Sequence, residues 1–514
     1  MLMTPIDEYA PDGGELVRFS LTSDTPEGAT HPAPPSYVQE NHIRRLLTNQ
    51  AAGVAQSAWV GVVFDVPGRL DTAAMAAALK VWTRRHPTLL TWFSVEENGT
   101  NGGTEGGTEG TGNGATRIQR HALAAETVAI TPESLGPHDS PAAIRARLVD
   151  LFDSGTNPLS WPPLVTGAVL REDSSTVYYA VDHCHSDGLS SLLVFSELRA
   201  LYEAEVTGVA AELPETGSYV DFCALERERS AAIGADSPEV RRWLEFLAGG
   251  PATSFPLPLG TEPGRTYPKI SLSMDLLDAA ETDAFAKACK ALGGGQSAGF
   301  LAALGVSGYE LAGHASYRGL SVVHTRDERR WMRAQGWFIN LVPVEFAVGE
   351  PGGEPGGEQG GEQGEKQGGE PGSAARGFGD ILSAAQLAFV EAQKMSGVSP
   401  LRVMELIPGV SVQPGAGAVL PMVSFIDLRH APGSQDWTAA KCDGLAGPGT
   451  STDVPIWINR LWDRTYVKVT YPDTAEARRN VPLFLEHLRA VLREIARTGE
   501  YRGEHRGEHR SDRG

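Results

Sequence analysis

Asp182-His183-Cys184-His185-Ser186-Asp187-Gly188 brings two carboxylates, two imidazoles and a thiol into one short segment. A neutral imidazole, with an ordinary pKa of about 6.5, can take a proton from an attacking alcohol or amine and later return it to a leaving group. His183 and Asp187 together read as His-x-x-x-Asp-Gly. His183, His185 and Asp187 also read as His-x-His-x-Asp, which has the spacing of metal ligands. The plainest alternative is a helix-capping aspartate flanked by two solvated histidines.

The flanking residues say how such a segment is positioned. Val177 to Asp182 is a short apolar, β-branched and aromatic run, the pattern of a buried strand. Leu189, Leu192, Phe195, Leu198 and Leu201 then recur at helical spacing. Asp187 falls at the helix N-cap, and Gly188 gives tight backbone passage there. His183 is expected to project from the strand end into the space between the sheet and its neighbour.

With 514 residues, 41% of them hydrophobic, the chain can bury a large core in more than one lobe. A formal charge of −20 argues against nucleic acid or an anionic membrane as partner. Part of that charge is local: six Glu and one Lys lie between Glu350 and Glu370. Cys184, Cys223, Cys289 and Cys442 form no Cys-x-x-Cys pair, so free thiols and a cytoplasmic setting are expected. No apolar run is long enough to span a bilayer, and the N-terminus lacks the features of a signal peptide.

Along the chain, strands and helices alternate in both halves, which predicts an α/β (α+β) protein of two lobes. Residues 1–34 read as a loose leader with one strand near Glu15–Leu21. An N-terminal lobe, 35–206, contains a helix from Tyr37 capped by Ser36, a strand from Ala58 to Pro67, a helix capped by Asp71, and a strand over Thr88–Ser94. A C-terminal lobe, 217–498, carries a strand over Leu320–Arg326, a loop from Gly336 into another strand, a hairpin of Val454–Leu461 with Thr465–Tyr471, and a last helix over Val481–Arg497. The low-complexity stretches 97–115 and 349–377 read as disordered loops, and 499–514 as a frayed tail.

Five separate stretches resemble, in order, the condensation domains of nonribosomal peptide synthetases and the polyketide-associated acyltransferases. They are Ser36-x-x-Gln39, Arg85-His86-x-x-Leu89, His183-x-x-x-Asp187-Gly188, Tyr219-x-Asp221-Phe222 and Gly336-x-Phe338-x-Asn340. Gly-Trp-Phe followed by Leu-Val-Pro, and Val423-Ser424-Phe425-Ile426-Asp427-Leu428-Arg429, resemble the polyketide-associated group more closely. The resemblance implies a chloramphenicol acetyltransferase-like fold, two lobes in a V with the site at the seam. It implies a monomeric acyltransferase that moves an acyl group from a phosphopantetheine thioester, on coenzyme A or a carrier protein, to a small alcohol or amine.

On that resemblance His183 is the general base and no cofactor or metal is bound. Asp187 fixes the loop through an arginine, Gly188 leaves room for the thioester arm, and its N–H can face an oxyanion. Gly336, Trp337, Asn340 and Ser424 border the substrate tunnel, though Trp337 equally suits core packing. Asp182 stands where the family has its first His, and Leu90 where it has a second Arg, which leaves Arg85 or Arg326 as the partner of Asp187. Two other readings stay open. A docking module of the same fold would need no His183. A zinc hydrolase using His183, His185 and Asp187 would need a His where Gly188 stands and further ligands, and His324, His505 and His509 form no cluster.

Overall fold

The computed structural model describes residues 3–54, 57–96, 117–250, 255–349, 377–407 and 421–501. The low-complexity stretch 97–115, all of 349–377 but its two end residues, and all but the first three residues of the expected tail 499–514 lie outside these.

Among the described residues, two seven-stranded sheets form the two lobes. The first runs, edge to edge, Met3–Pro5, Asp443–Ala446, Trp59–Pro67, Ser174–Asp182, Leu164–Leu170, Gly14–Ser23 and Val128–His138. Its strand Ser174–Asp182 is covered on both faces, as its unbroken apolar run foretells. Val177, Tyr179 and Val181 point into one core cluster, Tyr178 and Ala180 into another.

The second sheet runs Ile339–Ala347, Ser316–His324, Met422–Asp427, Ile456–Arg460, Arg464–Pro472, Tyr267–Asp278 and Thr450–Ser451. The helix Ala475–Thr498 lays Phe484, Leu488, Val491 and Ile495 into its core, and starts earlier than Val481 because Thr474 caps it. Ser316–His324 and Met422–Asp427 are parallel neighbours that pair only at Leu320–Met422 and Ser321–Val423.

The expected loose leader is a correction. Gly14–Ser23 is an interior strand paired with both Val128–His138 and Leu164–Leu170, and Met3–Pro5 pairs with Asp443–Ala446. Val128–His138 escapes a periodicity reading because Val128 alone is buried and Pro132, Gly136 and Pro137 interrupt the run. Thr88–Ser94 is a second correction: Pro87–Leu90 forms a 3-10 turn, and the strand is Thr91–Glu96.

The division of the chain at 217 also differs from the division of the core. Asp443–Ala446 leaves the second half of the chain to pair with Trp59–Pro67 in the first sheet. On the way, Leu428, Trp437, Ala440 and Cys442 fill the first lobe's core.

Candidate active site

The strand Ser174–Asp182 ends at the seam, where His183–His185 makes one 3-10 turn before the helix Gly188–Thr207. Asp182 caps the turn by accepting the Cys184 N–H at 2.9 Å, and Asp187 caps the helix by accepting the Ser190 N–H at 2.7 Å. Each aspartate therefore has a backbone duty before any chemistry is considered.

Asp187 is fully engaged. Arg326 Nη2 lies 3.0 Å from its Oδ1 and 3.2 Å from its Oδ2, and the Phe338 N–H donates to Oδ2 at 2.9 Å. Arg326 Nη1 also donates to the carbonyls of Trp331 and Ala334, at 2.6 and 2.8 Å, and its guanidinium lies over the Phe338 ring. Arg326 is thus the partner of Asp187 and Arg85 is not. Arg85 donates instead to Glu197, two turns along the helix from Ser190, and to the Pro214 carbonyl. Leu90, in the place of the missing Arg, packs with Leu123 and Val128.

All five sequence stretches meet on the loop Gln335–Phe338. Ser36 Oγ and Tyr219 Oη are 2.9 Å apart, and Tyr219 Oη donates to the Trp337 carbonyl at 2.9 Å. His86 Nδ1 accepts the Gln335 N–H at 3.4 Å, while its Nε2 lies 2.6 Å from Glu197. Ser190 Oγ donates to the Gly336 carbonyl at 2.8 Å and accepts from the Gly336 N–H and Arg326. Gln39 reaches from its helix to donate to the Cys184 carbonyl at 2.8 Å, clamping the histidine turn from the other side.

His183 sits inside this frame with its ring 4.0 Å, centroid to centroid, from Trp337, tilted by 32°. Its Nδ1 makes no hydrogen bond to another described residue. Burial, and next the imidazole of His42, push its pKa below the ordinary histidine value, which keeps the ring neutral and proton-accepting. A Cβ built on Gly188 would meet only Ile426 Cδ1, at 3.7 Å, so the space beside the helix start is open. Ser424 precedes Ile426 by two residues on the strand Met422–Asp427 and shares its face, toward that space.

Two of the expected tunnel residues do other work. Asn340 donates to the carbonyls of Ser396 and Val398, at 2.9 and 2.8 Å, and so anchors a neighbouring loop. Gly336, at φ +155, has its Cα so near the Tyr219 ring that an added Cβ would lie 2.2 Å from Cγ. It is a packing joint between the lobes.

The zinc alternative needs His183, His185 and Asp187 to converge, and the structure sends them apart. His185 is fully buried, lies 3.2 Å through Nδ1 from Thr88 Oγ1 and stacks on Phe93, while Asp187 belongs to Arg326. Among the described residues no group of three His, Cys, Asp or Glu is placed to hold a metal. No described helix is long and apolar enough to cross a membrane.

One residue beside the site is absent from the sequence reading. His42 sets its Nε2 3.0 Å from Asp182 Oδ1, and its ring is 5.4 Å from Trp337 and 6.5 Å from His183. It lies three residues beyond Gln39, on the same helix face, so extending the Ser36-x-x-Gln39 pattern by one turn would have found it.

Comparison with known proteins agrees with this architecture. The family model for the condensation domain matches residues 153–352, which include the histidine turn and the Gln335–Phe338 loop. The first condensation domain of the calcium-dependent antibiotic synthetase shares the fold, with a TM-score of 0.62 over 92% of this chain and 98% of that one, at 17% identity. The protein is an acyltransferase that resembles the condensation-domain superfamily and has the two-lobed chloramphenicol acetyltransferase-like fold.

Within that class it is similar to mycobacterial polyketide-associated enzymes. Acyltransferase PapA3 of Mycobacterium tuberculosis is 29% identical over 96% of this chain and 97% of its own. Trehalose-2-sulfate acyltransferase PapA2 of Mycobacterium bovis is 28% identical over 95% and 96%. A solved structure of PapA2 acyl transferase superposes with a TM-score of 0.80 at 25% identity, covering 96% of this chain and all of that one.

Proposed function

We propose that this acyltransferase forms an ester between an acyl group carried as a phosphopantetheine thioester and a hydroxyl of a sugar acceptor of the trehalose kind, in lipid assembly. The observation that carries the reading is His183: a ring held neutral by burial, set against the Trp337 indole and beside open space at Gly188. The names of the relatives, which include a trehalose-2-sulfate acyltransferase, support the acceptor class.

In this reading His183 takes the proton of the acceptor hydroxyl as its oxygen attacks the thioester carbonyl. The negative charge that develops on the carbonyl oxygen faces the start of the helix Gly188–Thr207, where backbone N–H groups and the helix dipole favour an anion. Collapse breaks the carbon–sulfur bond, and the proton passes from the imidazolium to the leaving thiolate. Asp187, saturated by Arg326, Ser190 and Phe338, holds the loop and moves no proton. Trp337 covers one side of the imidazole and excludes water from the thioester.

The test supplies long-chain acyl-coenzyme A and acyl-carrier protein in separate reactions with trehalose, following thiol release and ester mass. His183→Ala is expected to lower kcat by about 10²- to 10⁴-fold, the usual contribution of a general base, with the melting temperature maintained. Undiminished turnover in that variant excludes His183 as the base, and the active arm identifies the carrier.

A further inference from the structure

Asp182 stands where the superfamily signature has its first histidine, and an imidazole has arrived there from another element. His42, on the helix Tyr37–Ala51, faces Asp182 Oδ1 at 3.0 Å. The same oxygen takes the Cys184 N–H, while Oδ2 is buried without a partner. A carboxylate only 1% exposed is costly unless a proton donor faces it. His42 is the side chain that does so among the described residues, and Nε2 accordingly carries its proton toward Asp182.

In the neutral ring that assignment leaves Nδ1 as a bare lone pair, an acceptor only. The other neighbours of the ring are aromatic: Trp337 edge-on at 81°, and His183 at 50°. No other hydrogen bond to His42 exists among the described residues, and 15% of its side chain is exposed. Two imidazoles therefore border one indole with centroids 6.5 Å apart, one without a carboxylate and one backed by it.

We propose that His42, held by Asp182, binds a second hydroxyl of the acceptor beside the one that reacts at His183, and so selects vicinal diols of the sugar type over simple alcohols. The inference rests on His183 being the base. A hydroxyl donating to His42 Nδ1 and another donating to His183 would each sit about 2.8 Å from its nitrogen. Two such positions are compatible with adjacent carbons between rings this close. A site built to receive a hydroxyl discriminates strongly against an acceptor that lacks it, because the site's polar group is then left unpaired.

The experiment compares trans-1,2-cyclohexanediol with cyclohexanol as acceptors for one acyl thioester, using the full chain. The native protein is expected to favour the diol by about tenfold or more in kcat/KM. In the double variant His42→Phe with Asp182→Asn, which leaves no unpaired buried charge, that ratio falls toward one. A ratio is insensitive to the fraction of folded enzyme, so a merely structural role does not imitate the result.

A native protein without preference, or a preference that survives the double variant, overturns the proposal. If neither alcohol is turned over, nitrogen-15 spectra of the histidines with added trehalose decide. The His42 Nδ1 resonance must move, and a stationary resonance overturns the proposal equally. His183→Ala that still makes ester from the diol overturns the base assignment instead, and leaves the His42 comparison to be read on its own.

Discussion

Asp187 accepts from Ser190, Phe338 and Arg326, so its position in the signature reflects construction of the loop. Removing one side of such a buried pair costs about 3–5 kcal/mol, because the other charge stays behind unpaired. His185 makes a related point about a residue that looks chemical. Burial lowers its pKa to about 4, against an ordinary value of about 6.5, so the folded protein holds it neutral. Because the unfolded chain binds the proton more readily, this contribution is complete above about pH 6.5 and is lost as pH falls toward 4. Between pH 7 and pH 5 the loss from this residue is about 2 kcal/mol. His185→Phe, which preserves the stack on Phe93, is expected to lessen the acid sensitivity by that amount in denaturant melts at the two pH values. Equal slopes in parent and variant would show that His185 titrates normally.

At the scale of elements, the two glycines of the signature stretches have opposite characters. Gly336 has a left-sided φ and its Cα lies against the Tyr219 ring, so Gly336→Ala must push apart the joint that carries Trp337. Loss of stability by roughly 1–3 kcal/mol, through strain and overpacking, is the expected outcome in a thermal melt. Gly188 lies at a helix start with only Ile426 nearby, and Gly188→Ala is expected to melt normally and to raise KM for the thioester. A normal melt for Gly336→Ala, or unchanged thioester kinetics for Gly188→Ala, would contradict these assignments. The strand, loop and helix around His183 were readable because their signals are local: an apolar run, Asp187 as a capping residue and a helical repeat. Val128–His138 was not, since an edge strand that is mostly exposed and broken by Pro132, Gly136 and Pro137 lacks the alternation that marks a half-buried one.

At the scale of the whole molecule, the lobes share more than a link. Asp443–Ala446 crosses into the first sheet, Met3–Pro5 closes over it, and Leu445 is fully buried there. The two lobes are therefore expected to unfold together in one calorimetric transition. Leu445→Ala should lower stability by about 2–5 kcal/mol, and Leu445→Asp should separate the lobes into two transitions. Two transitions in the parent protein would mean that the crossing strand does not couple them.

By itself the sequence determined the fold class, the five signature stretches and the place of His183 at a strand end, because each depends on residues close together in the chain. Tertiary structure alone decided that Arg326 and not Arg85 holds Asp187. It also decided that Gly336 and Asn340 are joints, and that His42 stands behind Asp182. Those choices rest on contacts between residues more than 50 positions apart. No periodicity reports them, because what selects each partner is the burial and hydrogen bonding of charges that meet only after the chain has folded.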